Sequence, residues 1–256
     1  MLAHGRPPQL WRYTGLLKRT IPYVDLFLAP TEFTKTKHLE SVPEMRIAEL
    51  PYFTSRWDCG STPEEIQPED PPYFLFVGRL EKMKGLQTLI EPFKRYTKAQ
   101  LWVIGTGSYE STLRNLAKGC HNIKFIGFQT GEPLRRLFQG AIAVIVPSLW
   151  YEVFGIVLLE AFAQRTPVIV RNRGGMPDIV QESGGGFVFD TDQELKHAMD
   201  TLVEQPALRS SLGHKGFEAL QKKWTAAVHL RRYFQLINGL GKTTNDLQDC
   251  PGVAEA

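Results

Sequence analysis

From Tyr73 onward the chain repeats one unit, a short apolar run followed by a stretch of helical periodicity. Tyr73-Phe-Leu-Phe-Val77, Leu101-Trp-Val-Ile104, Ile123-Lys-Phe-Ile126, Ala141-Ile-Ala-Val-Ile-Val146 and Val168-Ile-Val170 read as strands. Between them the pattern predicts helices from about Lys84, from Tyr109, from Pro133 and through Ile156 to Phe162. Strands separated by helices of this length cannot close as hairpins and imply an α/β fold with a parallel, doubly wound sheet. Right-handed crossovers follow, and ligands of such sheets bind beyond the carboxyl ends of the strands. Chemistry-bearing residues are therefore sought just after each apolar run.

The densest such stretch is Pro147-Ser-Leu-Trp-Tyr-Glu-Val-Phe-Gly-Ile-Val-Leu-Leu-Glu-Ala-Phe162, a strand end, a turn and a helix carrying two acids. The helix is apolar on every side, as a core helix is, except at Glu160. A buried carboxylate is costly unless donors meet it, and it accepts from hydroxyls, ammonium or guanidinium. Glu152 lies in the preceding turn. Gly155 at the helix start lets a ligand approach the backbone at Phe154, Gly155 and Ile156, where free amides and the helix dipole favour an anion. An anion site between two hydroxyl acceptors describes a phosphate flanked by sugars. Arg79 and Lys84, just after the first strand of the repeat, add two cations at the same sheet edge, and an arginine fork with a mobile lysine suits a diphosphate.

The E-x7-E arrangement of Glu152 and Glu160 stands with Pro147-Ser148, Glu152-Val-Phe-Gly155 and Leu159-Glu160-Ala161. With Gly78-Arg79-Leu80, Lys84-Gly85, Pro167-Val-Ile169 and Gly174-Gly175, it resembles the retaining glycosyltransferases of the GT-B fold, family 4 type, over roughly residues 20 to 240. The resemblance implies a Rossmann-like donor-binding domain in which Arg79 and Lys84 hold the diphosphate, Glu152 the donor sugar and Glu160 the ribose. It also implies that Phe128 lines the nucleotide base and that the last helix returns to an N-terminal domain. Without the resemblance, Glu160 also fits an ion pair with Arg165 or Arg171, Glu152 a simple compensation of the helix dipole, and Phe128 ordinary packing. One departure stands out: Arg165 occupies the place before Thr-Pro-Val where the family usually has glycine.

Residues 1-53 read as the end of an N-terminal, acceptor-side domain. They hold a helix over 9 to 21 with a basic side of Arg12, Lys18 and Arg19, a strand Val24 to Ala29, a helix capped by Thr31, and a strand Arg46 to Leu50. The polar, proline-rich stretch 54-72 reads as a linker, 73-240 as the donor-binding domain with its crossover helix, and 241-256 as a loose tail. Several strand-helix units that a full N-terminal domain needs are not in this chain, so a second chain supplying that domain is an expected partner. At 256 residues with 43% hydrophobic content, the chain can bury one good core and part of another.

A formal charge of +3, with no basic-aromatic interleaving, speaks against nucleic acid. The three cysteines, Cys59, Cys120 and Cys250, lack metal spacing and point to a reducing cytoplasm. No apolar run reaches the ~18 residues of a spanning helix, and the basic first helix leaves peripheral contact with an anionic inner membrane face open. Gly105-Thr-Gly107 lacks the third glycine of a nicotinamide fingerprint, and Asp190-Thr-Asp192 is explained by a capping box at Thr191. The six histidines show no ligand spacing, and none is assigned.

The expectation is a metal-independent transferase that moves a sugar from a nucleotide diphosphate donor to the hydroxyl of a saccharide, lipid-linked or small-molecule acceptor, with no cofactor beyond the donor. The alternatives are a donor-binding module or half-enzyme without activity, and a sugar-nucleotide epimerase of similar fold.

Overall fold

The computed structural model describes residues 15–55, 57 and 71–241. The beginning of the helix expected over 9 to 21, with Arg12, lies outside the described residues, as do most of the stretch 54-72, Cys59, Cys250 and the tail from Lys242. The described chain opens with α1 (Leu16–Thr20), β1 (Phe27–Ala29), α2 (Glu32–Ser41) and β2 (Ile47–Glu49). The two strands pair in parallel across the helix that joins them. Thr31 caps α2, its hydroxyl accepting from the Thr34 amide, which is the role its sequence position predicts.

The repeat produces β3 (Tyr73–Val77), α3 (Gln87–Arg95), β4 (Gln100–Ile104), α4 (Glu110–Leu116), β5 (Ile123–Gly127), α5 (Gly131–Gly140) and β6 (Val144–Val146). It continues with α6 (Ile156–Ala163), β7 (Val168–Arg171), α7 (Met176–Ser183) and β8 (Gly186–Phe189), and α8 (Asp192–Glu204), α9 (Pro206–Lys223) and α10 (Ala226–Gly241) follow. All six strands of this sheet are parallel, in the order β5-β4-β3-β6-β7-β8.

Alternate residues of each strand feed opposite cores, as the period of two requires. Phe74, Phe76, Leu101, Val103, Ile145 and Ile169 pack on one side with Phe93 of α3 and Leu195 of α8. Tyr73, Leu75, Trp102, Val144, Val168 and Val170 pack on the other with Phe138 of α5 and Phe162 of α6. Burying such a side chain is worth about 1.5–3 kcal/mol, which is why strands without a polar face settle only between two helical layers.

Several details differ from the sequence reading, among them the starts of β1 and β6, at Phe27 and Val144 instead of Val24 and Ala141. β8 escapes it, because four residues on a sheet edge behind a run of glycines carry too little periodicity. Lys84 ends a 3-10 turn, Lys82–Lys84, rather than beginning a helix, and α3 starts at Gln87.

The last described helix meets the N-terminal segment. His229 of α10 lies 2.7 Å from the Pro51 carbonyl oxygen and packs on Phe53, ring to ring at 4.8 Å. No helix among the described residues is long and apolar enough to cross a membrane. Thr191 caps α8 in the predicted box, its hydroxyl accepting from the Glu194 amide while the Glu194 carboxylate accepts from the Thr191 amide. Thr191→Ala is expected to cost about 1 kcal/mol, read as a lower urea midpoint at unchanged slope.

Candidate functional site

Strand order reverses between β3 and β6, neighbours through Leu75 and Val144, and the loops leaving these two strands open a crevice at the carboxyl edge of the sheet. The loop after β3 carries Arg79 and Lys84, and the loop after β6 carries Ser148 and Glu152. The two are bonded together: the Leu149 amide donates to the Met83 carbonyl at 2.9 Å, and the Ser148 hydroxyl lies 3.3 Å from the same oxygen. The Gly105-Thr-Gly107 turn supports the first loop from the side, with the Leu80 amide donating to the Thr106 carbonyl at 2.9 Å and the Tyr109 amide to the Leu80 carbonyl at 2.9 Å. That turn holds the loop through its backbone.

The crevice has a volume of about 650 Å³. Arg79, Lys84, Glu152, Phe154, Gly155, Ile156 and Glu160 all line it, so seven of the eight sequence-predicted residues come together. Lys84 Nζ stands 2.6 Å from Glu152 Oε1, both side chains about three-quarters buried or more. Glu160 is 7% exposed, one turn into α6, which is otherwise buried from Leu158 to Ala163. Gly155 caps α6 in a left-handed conformation, no side chain caps the helix, and its first residues, Gly155, Ile156 and Val157, line the crevice together with Lys84. Arg79 is exposed. Phe128 stands elsewhere, 69% exposed beyond β5 at the far edge of the sheet, and does not line this crevice.

Arg171 and Arg173 brace the loop after β6. Arg171 Nε donates to the Pro147 carbonyl at 3.2 Å and its Nη2 to the Thr88 hydroxyl at 3.0 Å. Arg173 donates to the Leu149 carbonyl at 3.3 Å and lies over the Tyr151 ring. Burial, first of all, lowers the Arg171 pKa from the ordinary guanidinium value; Asp192 and Asp190 oppose that and Arg173 adds to it. Arg165 covers the Phe217 ring at 4.6 Å.

Several contributors were not singled out from the sequence. Tyr52 lines the crevice and meets the Phe154 ring at 5.4 Å, and Thr31 donates to the Val153 carbonyl at 3.0 Å across 122 positions. Trp150 and Tyr151 line it too, both more than half exposed. Among the described residues no three of His, Cys, Asp and Glu gather as a metal site. The assembled groups, an ammonium, a guanidinium and open helix amides beside two carboxylates, can hold an anion between hydroxyl-bearing groups.

The family model for glycosyl transferases group 1 matches residues 61–219. An uncharacterized glycosyltransferase of Methanocaldococcus jannaschii is 37% identical over 125 residues, 46% of this chain and 32% of the relative. The lipopolysaccharide core biosynthesis glycosyltransferase LpsE of Rhizobium meliloti is 31% identical over 175 residues, 66% of this chain and 51% of the relative. The chain thus spans a third to a half of these curated relatives.

Among solved structures, sucrose-phosphate synthase of Thermosynechococcus elongatus superposes with a TM-score of 0.74 at 21% identity, covering 94% of this chain and 65% of that one. Anabaena HepE in complex with UDP superposes with a TM-score of 0.74 at 15% identity, covering 93% and 70%. At these identities the likeness is one of fold, the GT-B fold with its parallel six-stranded sheet.

Proposed function

The chain belongs to the glycosyl transferases of group 1, and on that premise we propose that its crevice binds a nucleotide diphosphate sugar and serves transfer of the sugar to an acceptor hydroxyl. The observation that carries the reading is the placement of Lys84 and Glu152, 2.6 Å apart, at the opening of α6 and at the reversal of strand order. In this reading Arg79, Lys84 and the amides near Gly155 and Ile156 take the diphosphate, Glu152 the donor sugar and Glu160 the ribose. Residues 73-240 then form the donor-binding unit, and residues 1-53 the edge of the acceptor side. Neighbours of the same fold whose structures hold UDP, or UDP with glucose, support a nucleotide-sugar donor. In this reading Phe128, outside the crevice, takes no part in holding the diphosphate or the sugar.

The mechanism in this proposal is electrostatic. As the bond from the anomeric carbon to the diphosphate oxygen lengthens, negative charge grows on the leaving group and positive charge on the sugar ring. Lys84, Arg79 and the α6 amides meet the first, and the carboxylate of Glu152 lies beside the second. The acceptor oxygen forms its bond on the face the diphosphate leaves, and its proton passes to a diphosphate oxygen, so configuration is retained and no protein base or divalent ion is needed. We assign the protein to family 4 and to the cytoplasm; the half-buried free thiol of Cys120 fits a reducing compartment.

Calorimetry with UDP, GDP and ADP and their glucose and mannose derivatives tests donor binding, and release of nucleoside diphosphate in the presence of candidate acceptors tests transfer. Binding of at least one sugar nucleotide in the micromolar to millimolar range is expected. Failure of every one to bind would remove the proposal.

A further inference from the structure

Ser148 is fully buried, at 0% exposure, against Glu152 of the crevice lining. Its hydroxyl lies 3.0 Å from Glu152 Oε1, 3.3 Å from the Met83 and Trp150 carbonyl oxygens, and it accepts from the Trp150 amide at 3.3 Å. A hydroxyl has one proton to give, and the shortest and only charged acceptor is the carboxylate. Lys84 Nζ donates to that same oxygen at 2.6 Å. Glu152 Oε1 therefore carries two donors, and no described residue donates to Oε2.

We propose that Ser148 is a positioning residue for the donor sugar: it fixes Oε1 of Glu152 so that Oε2 is the oxygen presented to a sugar hydroxyl. The inference rests on the donor reading above and deepens it. Of the two groups on Oε1, Lys84 is the one a diphosphate competes for, since an ammonium midway between a carboxylate and a phosphate is drawn toward the greater charge. Ser148 is neutral, buried and held by the Trp150 amide, from which it accepts at 3.3 Å, so phosphate cannot draw it away. When Lys84 turns to the diphosphate, Ser148 alone keeps the carboxylate in place, and a displacement of half an ångström would already spoil a hydrogen bond to the sugar.

The test compares ligands that differ only by the sugar, on the full chain. The probes are the first nucleoside diphosphate among UDP, GDP and ADP, and the glucose or mannose derivative of it, that the wild-type chain binds. Ser148→Ala is expected to weaken the sugar nucleotide about tenfold and the free diphosphate less than twofold. In a Glu152→Ala background, Ser148→Ala should make no further difference, whereas a packing role would persist there. If Ser148→Ala fails to fold, Ser148→Cys, which keeps the volume and offers only a weak donor, carries the same expectation. Equal losses for both ligands, or no loss for either, overturn the inference and leave the donor reading standing. If the wild-type chain binds none of the pairs, the donor reading falls and the inference with it.

Discussion

Lys84→Ala is expected to weaken nucleoside diphosphate binding roughly ten- to a hundredfold, the loss of about 1.5–3 kcal/mol that a charge-assisted hydrogen bond supplies. The effect has two parts. One ammonium donor is lost to the phosphate, and Glu152, now without its partner at 2.6 Å, stands as an uncompensated negative charge facing an anionic ligand. At 4 Å and an effective dielectric near 20, such a repulsion is of order 4 kcal/mol before screening and rearrangement reduce it. Arg79→Ala removes attraction alone, from an exposed side chain that solvent and salt already screen, so its effect should be smaller and should fade further as ionic strength rises. Calorimetry at low and high salt reads both the order and the salt dependence. Unchanged affinity in both variants would remove the diphosphate from this crevice, and a larger effect of Arg79 would mean that the Lys84–Glu152 pair persists in the complex.

Restoring charge balance supplies a control. Lys84→Ala combined with Glu152→Ala should bind the free diphosphate better than Lys84→Ala alone, because the repulsion is gone, yet should not regain the sugar's contribution. Groups sharing one oxygen are not additive, and the cycle measures how strongly they are coupled.

How far this site was legible in the sequence follows from what each residue depends on. The doubly wound sheet was legible because strands such as Tyr73–Val77 are apolar at consecutive positions, and only a core on each face satisfies that pattern. The cations and acids were legible because a sheet of this kind exposes its carboxyl edge, so residues just after apolar runs had to meet there. Arg165 shows the same rule from the other side. Its φ of 55° lies in the region that favours glycine, so the turn after α6 imposes the conformation whatever residue stands there. A non-glycine residue in that state costs of order 1 kcal/mol, and the guanidinium over the Phe217 ring offsets it by a similar amount.

What was not legible depends on distance along the chain. Thr31 holding the Val153 carbonyl, Phe33 stacked on Tyr151 at 5.5 Å, and Tyr52 against Phe154 bring the N-terminal segment onto the Glu152 loop, and no local periodicity encodes such meetings. Ser148 was visible as part of a motif but silent as to role, because a serine after a strand is equally a turn residue. Only its burial against Glu152 Oε1 gives it a task.

Gly85→Ala should separate the two loops without unfolding the sheet, and it carries the largest combined effect expected here. Gly85 has φ of 79°, and a Cβ there would overlap the Pro147 carbonyl oxygen. The left-handed conformation alone costs an alanine about 1–2 kcal/mol. The overlap is with backbone at the exit of β6 and cannot be relieved by turning a side chain. The loops must part, which breaks the Leu149 to Met83 hydrogen bond and draws Lys84 away from Glu152. A stability loss of about 2–4 kcal/mol is expected from strain and broken contacts together. Sugar-nucleotide affinity should fall more than tenfold, because cation and acid no longer share one geometry.

Gly119→Ala is the matched control. Its φ is 81°, nearly the same, yet a Cβ there would meet nothing within 4 Å, and it does not line the crevice. It should lose about 1 kcal/mol of stability through backbone conformation alone and bind as the wild type does. Urea unfolding and calorimetry on the two variants separate strain from site geometry. If Gly85→Ala binds normally, the welded loops are not what brings Lys84 to Glu152, and if Gly119→Ala loses binding to the same extent, the loss reports general destabilisation and not the crevice.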